Sequence, residues 1–285
     1  MLSNKVSEIM AKEVITADAS HTISAVIEMM AAKNVGGVII AENQRPVGIF
    51  TEQDVLKRVI NKRLDPRKNP IRRVMTSPIQ TVKKETHIIE ALGKMYQRKF
   101  RHLLVRGEKG EIAGMVSMRD ILRLAVELGR DLTENQTVGS IMSSLTTVDG
   151  SHAISETVEV MTKKNTGCVV VEIAGEPKGV FTERDVLKRV ALQDLDTRTT
   201  PIREVMTAPF IAMDQSVLIG EVMAQMSRRG FRNMPIHGEG GRLAGIVSLG
   251  DVLQYARALD VDEAVRRTWK EIEEFWDSEE HYTPG

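Results

Sequence analysis

The chain repeats itself. GIFTEQDVLKRVI at Gly48–Ile60 recurs as GVFTERDVLKRVA at Gly179–Ala191, and RRVMTSP at Arg72–Pro78 recurs as REVMTAP at Arg203–Pro209, each 131 residues later. Each half divides again: GIFTEQD aligns with GMVSMRD at Gly114–Asp120, and GVFTERD with GIVSLGD at Gly245–Asp251, both displaced by 66 residues. A fixed internal period marks an array of similar small units. Four units result, read as two pairs, over 1–65, 66–132, 133–197 and 198–260, with a tail at 261–285. Polar and helix-breaking stretches (Asn61–Pro70, Gly129–Gln136, Asp194–Pro201) separate them.

Periodicity gives the structure within a unit. In the first, Val14–Thr16 is a short extended piece, and Ser20 is placed to cap the following helix. Ile23, Val26, Ile27 and Met30 form the stripe of an amphipathic helix. The stripe returns as Ile88, Leu92 and Met95, as Ile154, Val158 and Met161, and as Ile219, Val222 and Met226. Two β-branched runs follow, such as Gly36–Ala41 and Pro46–Phe50, which read as hairpin strands. Thr51 then heads a second helix with Val55, Leu56 and Val59 on its apolar face. The predicted fold is α/β, four tandem β-α-β-β-α units paired into two modules. A unit of about 60 residues buries little surface alone, which favours pairing.

Composition narrows the function classes. Lys+Arg and Asp+Glu each number 39, so the 285-residue chain has a formal net charge of zero. It lacks the basic excess of a nucleic-acid binder, and that partner is not expected. One cysteine, Cys168, excludes an internal disulfide and a multi-cysteine zinc site. Low cysteine use and the absence of a leader-like or membrane-length apolar run point to a soluble cytoplasmic protein. Aromatic residues are only 4%, so aliphatic side chains and the 15 methionines must fill the cores.

The most specific motif closes the second hairpin strand of every unit: glycine, two apolar residues, Ser or Thr, two residues, Asp. Thr51 and Asp54, Ser117 and Asp120, Thr182 and Asp185, and Ser248 and Asp251 fill its polar positions. One reading is a helix cap resembling a capping box, although such boxes prefer Glu or Gln. The other is a ligand clasp. A helix N-terminus suits a phosphate, and a carboxylate suits the vicinal hydroxyls of a ribose.

These four corners, the VMTxP starts and the 66-residue pairing resemble the cystathionine-β-synthase-type (CBS) domain family, over roughly residues 1–260. The resemblance implies Bateman modules, in which paired domains pack through their sheets about a pseudo-two-fold axis and leave two clefts. It implies AMP, ADP, ATP or S-adenosylmethionine as regulatory ligands, with no required cofactor or metal. Four domains in one chain resemble the regulatory subunit of AMP-activated kinases, a disc of two modules. Carried over, Asp54, Asp120, Asp185 and Asp251 would hold ribose hydroxyls, with Thr51, Ser117, Thr182 and Ser248 near ribose or phosphate. A first-strand hydroxyl is expected at Thr16, Thr81 and Thr147, whereas the fourth unit has Ala212. Phosphate would meet Arg101 and His102 in the second unit and Arg232 in the fourth. The odd units carry Lys33-Asn34 and Lys164-Asn165 there, so even clefts are expected to prefer the anion.

Other features read as structural. His21, His87 and His152 lie in different units and do not suggest a shared metal. Cys168 in GCVVV reads as a buried small hydrophobe, and Met10, Met75, Met142 and Met206 as core or interdomain contacts. No catalytic dyad, HExxH, P-loop or Rossmann fingerprint appears, so no enzyme is expected. Val265, Trp269, Ile272 and Trp276 follow helical spacing in the tail, a helix that folds back, meets a dimer mate or docks a regulated partner. The expected function is a non-catalytic adenine-nucleotide sensor, acting on a partner or on its own homodimeric assembly. An S-adenosylmethionine sensor, a ligand-free scaffold and a nucleotide-acting enzyme are the alternatives.

Overall fold

The computed structural model describes residues 5–98, 100–121, 136–193 and 195–258. The tail helix expected at 261–285, with Trp269 and Trp276, lies outside the described residues. A single turn, α1 (Val6–Ile9), precedes the first unit. That unit is β1 (Thr16–Asp18), α2 (Ile23–Lys33), β2 (Gly37–Glu42), β3 (Arg45–Thr51) and α3 (Glu52–Asp54), which runs on as a π-helix, Val55–Ile60. The second has β4 (Thr81–Lys83), α4 (Ile88–Gln97), β5 (His102–Arg106) and β6 (Ile112–Ser117). The third has β7 (Thr147–Asp149), α5 (Ile154–Lys163), β8 (Cys168–Ile173), β9 (Glu176–Thr182) and α6 (Glu183–Asp185), with a π-helix at Val186–Val190. The fourth has β10 (Met213–Asp214), α7 (Ile219–Arg229), β11 (Asn233–His237), β12 (Leu243–Ser248) and α8 (Leu249–Ala258). Each unit is a three-stranded sheet, its first strand parallel to the second and the second antiparallel to the third. This is the expected β-α-β-β order.

The predicted stripes are the cores. Ile23, Val26, Ile27 and Met30 are fully buried, as are Ile154, Val158 and Met161. One local expectation fails. Thr22, not Ser20, caps α2, its hydroxyl accepting from Ala25 N at 3.3 Å. Ser20 instead donates to Asp18 Oδ1 at 2.6 Å, closing the turn after β1. Both are short hydroxyl residues beside the helix start, and the side chain two residues after Asp is captured by that carboxylate first.

Three kinds of contact join the units. The sheets of units one and two meet through Ile39, Ile49 and Leu104, with Val14, Ile79, Ile112 and Met115 around them. Units one and three share one continuous core through their helices, with Val26, Leu56 and Val59 in the same cluster as Val158, Leu187 and Val190. Leu92 and Met118 of unit two pack against the core of unit four. The lead segments are exchanged within each pair: Ala11 bridges to Met115 of unit two, Thr76 to Ile49 of unit one, Ser143 to Ile246 of unit four, and Thr207 to Val180 of unit three. The four methionines are interdomain contacts of this exchange. A Cβ on Gly48 would lie 2.7 Å from Met75 Sδ and 2.9 Å from Thr76 O, and Gly114, Gly179 and Gly245 face Met10, Met206 and Met142 in the same way. The corner glycine is therefore required by the neighbour's backbone. Cys168 is buried, and burial raises its thiol pKa to about 12, so it is inert packing. Among the described residues, no helix is long and apolar enough to cross a membrane.

Candidate functional site

The four corners share one construction. Thr51 N and Oγ1 both donate to Asp54 Oδ2, at 2.9 and 2.7 Å, and Asp54 N donates back to Thr51 Oγ1 at 3.4 Å. The reciprocal pattern holds at Ser117 and Asp120, at Thr182 and Asp185, and at Ser248 and Asp251. The capping reading is thus realised in every unit, and it occupies one carboxylate oxygen, Oδ2. What a corner can hold depends on Oδ1.

In three corners that oxygen is already bonded. Thr76 donates to Asp54 Oδ1 at 3.0 Å, Thr207 to Asp185 Oδ1 at 2.7 Å, and Ser143 to Asp251 Oδ1 at 2.7 Å. Arg58 Nε and Arg189 Nε stand 3.3 and 3.5 Å from the same oxygens of Asp54 and Asp185. These hydroxyls directly follow the lead methionines; the recurring Met-Thr of VMTSP and VMTAP was their signal in the sequence. The expected first-strand hydroxyls behave differently. Thr16, Thr81 and Thr147 begin β1, β4 and β7 and line none of the three cavities at the centre of the molecule. Burial, opposed by the Thr51 hydrogen bond and Arg58, raises the Asp54 pKa above the ordinary carboxylate value.

The phosphate-site arginines meet carboxylates that the sequence reading passed over. Glu52 and Glu183, directly after the corner threonines, are 1% and 4% exposed. Arg101 of unit two pairs with Glu183 of unit three, and Arg232 of unit four pairs with Glu52 of unit one. Arg232 also reaches Glu183 at 3.5 Å, and Arg184 reaches Glu52 at 3.4 Å. One ion network therefore laces all four units. Its signal was an alternation: odd corners read Thr-Glu where even corners read Ser-Met or Ser-Leu, and even units carry Phe-Arg where odd units carry Val35-Gly36 or Thr166-Gly167.

A cavity of about 750 Å³ opens on this network, lined by residues of all four units, with Ser117, Asp120 and Ser248 in its wall. Two smaller cavities, of about 230 and 220 Å³, sit at the Thr182–Asp185 and Thr51–Asp54 corners. Arg101 and Arg232 line the large cavity, as do Lys57, Arg119 and His102. His102 enters as a neutral ring, because desolvation, then Arg232, Arg101 and Arg119, lower its pKa to about 3. The centre holds Arg101, Arg119, Arg184 and Arg232 against Glu52 and Glu183, so positive charge is in excess there although the whole chain is neutral. Such a centre can hold an anion, and a free corner carboxylate can hold hydroxyls. Among the described residues no group of His, Cys, Asp and Glu could hold a metal ion.

Comparisons with known proteins agree with this architecture. The structure resembles protein MJ1225 from Methanocaldococcus jannaschii, described as a proposed archaeal homologue of g-AMPK, with a TM-score of 0.76 and 18% identity over 88% of this chain and 99% of that one. An uncharacterized conserved protein from Pyrococcus horikoshii gives a TM-score of 0.59 and 16% identity, with the same coverage of 88% and 99%. At these identities the likeness concerns the fold. The CBS domain-containing protein CBSCBSPB1 of Arabidopsis thaliana is 26% identical over 95% of this chain and 58% of its own length. The meiotically up-regulated gene 70 protein of Schizosaccharomyces pombe is 23% identical over 94% and 44%. The chain thus spans about half the length of the curated relatives it matches. The CBS domain family model matches residues 6–61, 71–127, 138–192 and 202–258, one span for each sheet with its corner and exchanged lead segment. Four times over, then, the residues that build the corners are those of a family domain, and the chain belongs to the CBS-domain family.

Proposed function

We propose that this chain is a non-catalytic regulatory sensor that binds an adenine nucleotide where its paired CBS repeats meet, and passes the occupancy to a partner protein or to its own homodimeric assembly. The observation that carries this reading is the meeting of a corner carboxylate, Asp120, with an arginine-rich centre in one cavity lined by all four units. A ribose needs a hydrogen-bond acceptor, and a phosphate needs arginine donors; both lie in one wall. The cavity is lined by all four units, and a ligand there that favoured one arrangement of the units over another would bias the equilibrium between them. Among the described residues, none at the centre is arranged as a nucleophile with its base, which is why binding rather than turnover is proposed. The single buried cysteine suits the reducing cytoplasm.

Calorimetric titration with AMP, ADP, ATP and S-adenosylmethionine tests the reading. Saturable binding of one nucleotide with no product on chromatography supports a sensor; product from bound ATP would make it an enzyme, and preference for S-adenosylmethionine would change the ligand. A second reading, a scaffold that works without ligand, is favoured by the internal hydroxyl partners of Asp54, Asp185 and Asp251. Failure of all four compounds to bind would establish it over the sensor.

A further inference from the structure

The four corners are not equivalent, and the difference lies in one side chain supplied from outside the corner. Asp54, Asp185 and Asp251 each receive a hydroxyl on Oδ1 from the residue after a lead methionine: Thr76, Thr207 and Ser143. The position that serves the second unit is Ala11, which follows Met10 and bridges to Met115 on β6. Alanine has no hydroxyl to give. Among the described residues, Asp120 Oδ2 closes its capping box and Oδ1 has no hydrogen-bond donor. Beside it, Arg119 is the one arginine of the central four without an ion pair among the described residues, and its Nε is buried with no partner. A free acceptor and an orphaned guanidinium donor thus face the same space. That space is the large cavity, and Ala11, Arg119 and Asp120 all line it.

From this we infer that the second unit's corner is the principal nucleotide site of the chain, and that Ala11 selects it by leaving Asp120 unoccupied. The inference rests on the nucleotide reading above and deepens it. A ligand with vicinal hydroxyls donates to Asp120 Oδ1 without displacing an internal bond, whereas at Asp54 or Asp185 it must first break one to a carboxylate. Hydrogen bonds to charged groups are among the stronger ones, so that difference separates the sites by an order of magnitude or more. Size points the same way. Cavities that take small ligands run from about 300 to 1,000 Å³; the one at Asp120 has about 750 Å³, and those at Asp185 and Asp54 have about 230 and 220 Å³. The anionic end of the ligand meets Arg119 first, because Arg101 and Arg232 are already engaged by Glu183 and Glu52.

The test is calorimetry with AMP and ATP on the full chain and on A11T, A11V, D54N, D120N and D185N, with thermal unfolding as a check of folding. Expected are one tight site per chain, loss of at least about tenfold in affinity in D120N and A11T, and a change under about twofold in D54N and D185N. A11V adds the bulk of threonine without its hydroxyl, so it should weaken binding less than A11T. Should D120N fail to fold, the A11T and A11V pair still decides the matter. Equal losses in A11T and A11V would overturn the hydroxyl account. Binding that survives in D120N and A11T but disappears in D54N or D185N would overturn the assignment while leaving the sensor standing. If wild-type protein bound neither nucleotide, the sensor reading would fall and this inference with it.

Discussion

A methyl group at Gly48 has nowhere to go. It would meet Met75 Sδ at 2.7 Å, which can swing away, and the Thr76 carbonyl at 2.9 Å, which is pinned by its own hydrogen-bonded bridge to Ile49 and cannot. Gly48→Ala should therefore destabilise the protein by about 1–3 kcal/mol, the usual cost of overpacking. Gly37→Ala, whose nearest neighbours stand at ordinary contact distance of 3.4 Å, should cost clearly less. Comparing the two urea midpoints checks this, and equal shifts would sink it. His102 carries a pH signature at the same scale. Its folded pKa of about 3 lies below the unfolded value of 6.5, so the folded state binds fewer protons between them. The stability it contributes is full above 6.5 and is lost as pH falls through that window. His102→Gln should make the thermal midpoint fall less steeply between about pH 7 and about pH 4 than in wild type. Parallel slopes would show that the ring titrates normally. At this scale the motif letters were legible and their partners were not: the pairing of Asp54 with Thr76, 22 residues on, depends on which sheet the lead segment joins, and no periodicity reports that.

Elements were the most legible level, because a helix stripe or a strand run is a local pattern that burial must respect. The four helices of the apolar stripe and the four hairpins stand where the sequence places them. Boundaries were less legible. Ser20 and Thr22 are both plausible caps by type, and only the competing carboxylate of Asp18 separates them. That gives a direct test. Thr22→Ala removes an N-cap bond and should cost about 0.5–2 kcal/mol, whereas Ser20→Ala alters an exposed turn and should stay within about 0.5 kcal/mol. A larger loss in Ser20→Ala, measured by chemical denaturation, would return the cap to Ser20. The π-winding of the second helix in the odd units had no signal. Val55, Leu56 and Val59 enter the core shared by units one and three from it, on the face that their spacing already assigned to an ordinary helix.

The assembly of four units was legible in number but not in contact, and its centre shows why. Complementarity between Glu52 and Arg232, or between Glu183 and Arg101, links residues of different repeats whose own neighbourhoods look like ordinary corner and strand starts. The alternation of Thr-Glu with Phe-Arg between odd and even units becomes meaningful only once those units face each other. What the network does can be tested by removing one acid. Glu183 is 5% exposed at its side chain, while its partners Arg101 and Arg232 are 32% and 20% exposed, so solvent shares in neutralising the arginines. Removing one partner of a fully buried pair costs about 3–5 kcal/mol; with this exposure about 1–3 kcal/mol is expected for Glu183→Gln. The same change releases Arg101 toward the large cavity and leaves Arg232 with Glu52 alone, so an added anion should bind the variant more tightly. Sulfate titrated into a thermal unfolding assay should raise the midpoint of Glu183→Gln more than that of wild type, recovering part of the loss by binding to the folded state. Glu176→Gln, a change at an exposed strand position, should move neither quantity. A variant that loses stability but answers sulfate no more than wild type would mean that Glu183 only holds the units together. The expected result would mean that Glu183 also occupies, from within, arginines that an anionic ligand competes to reach.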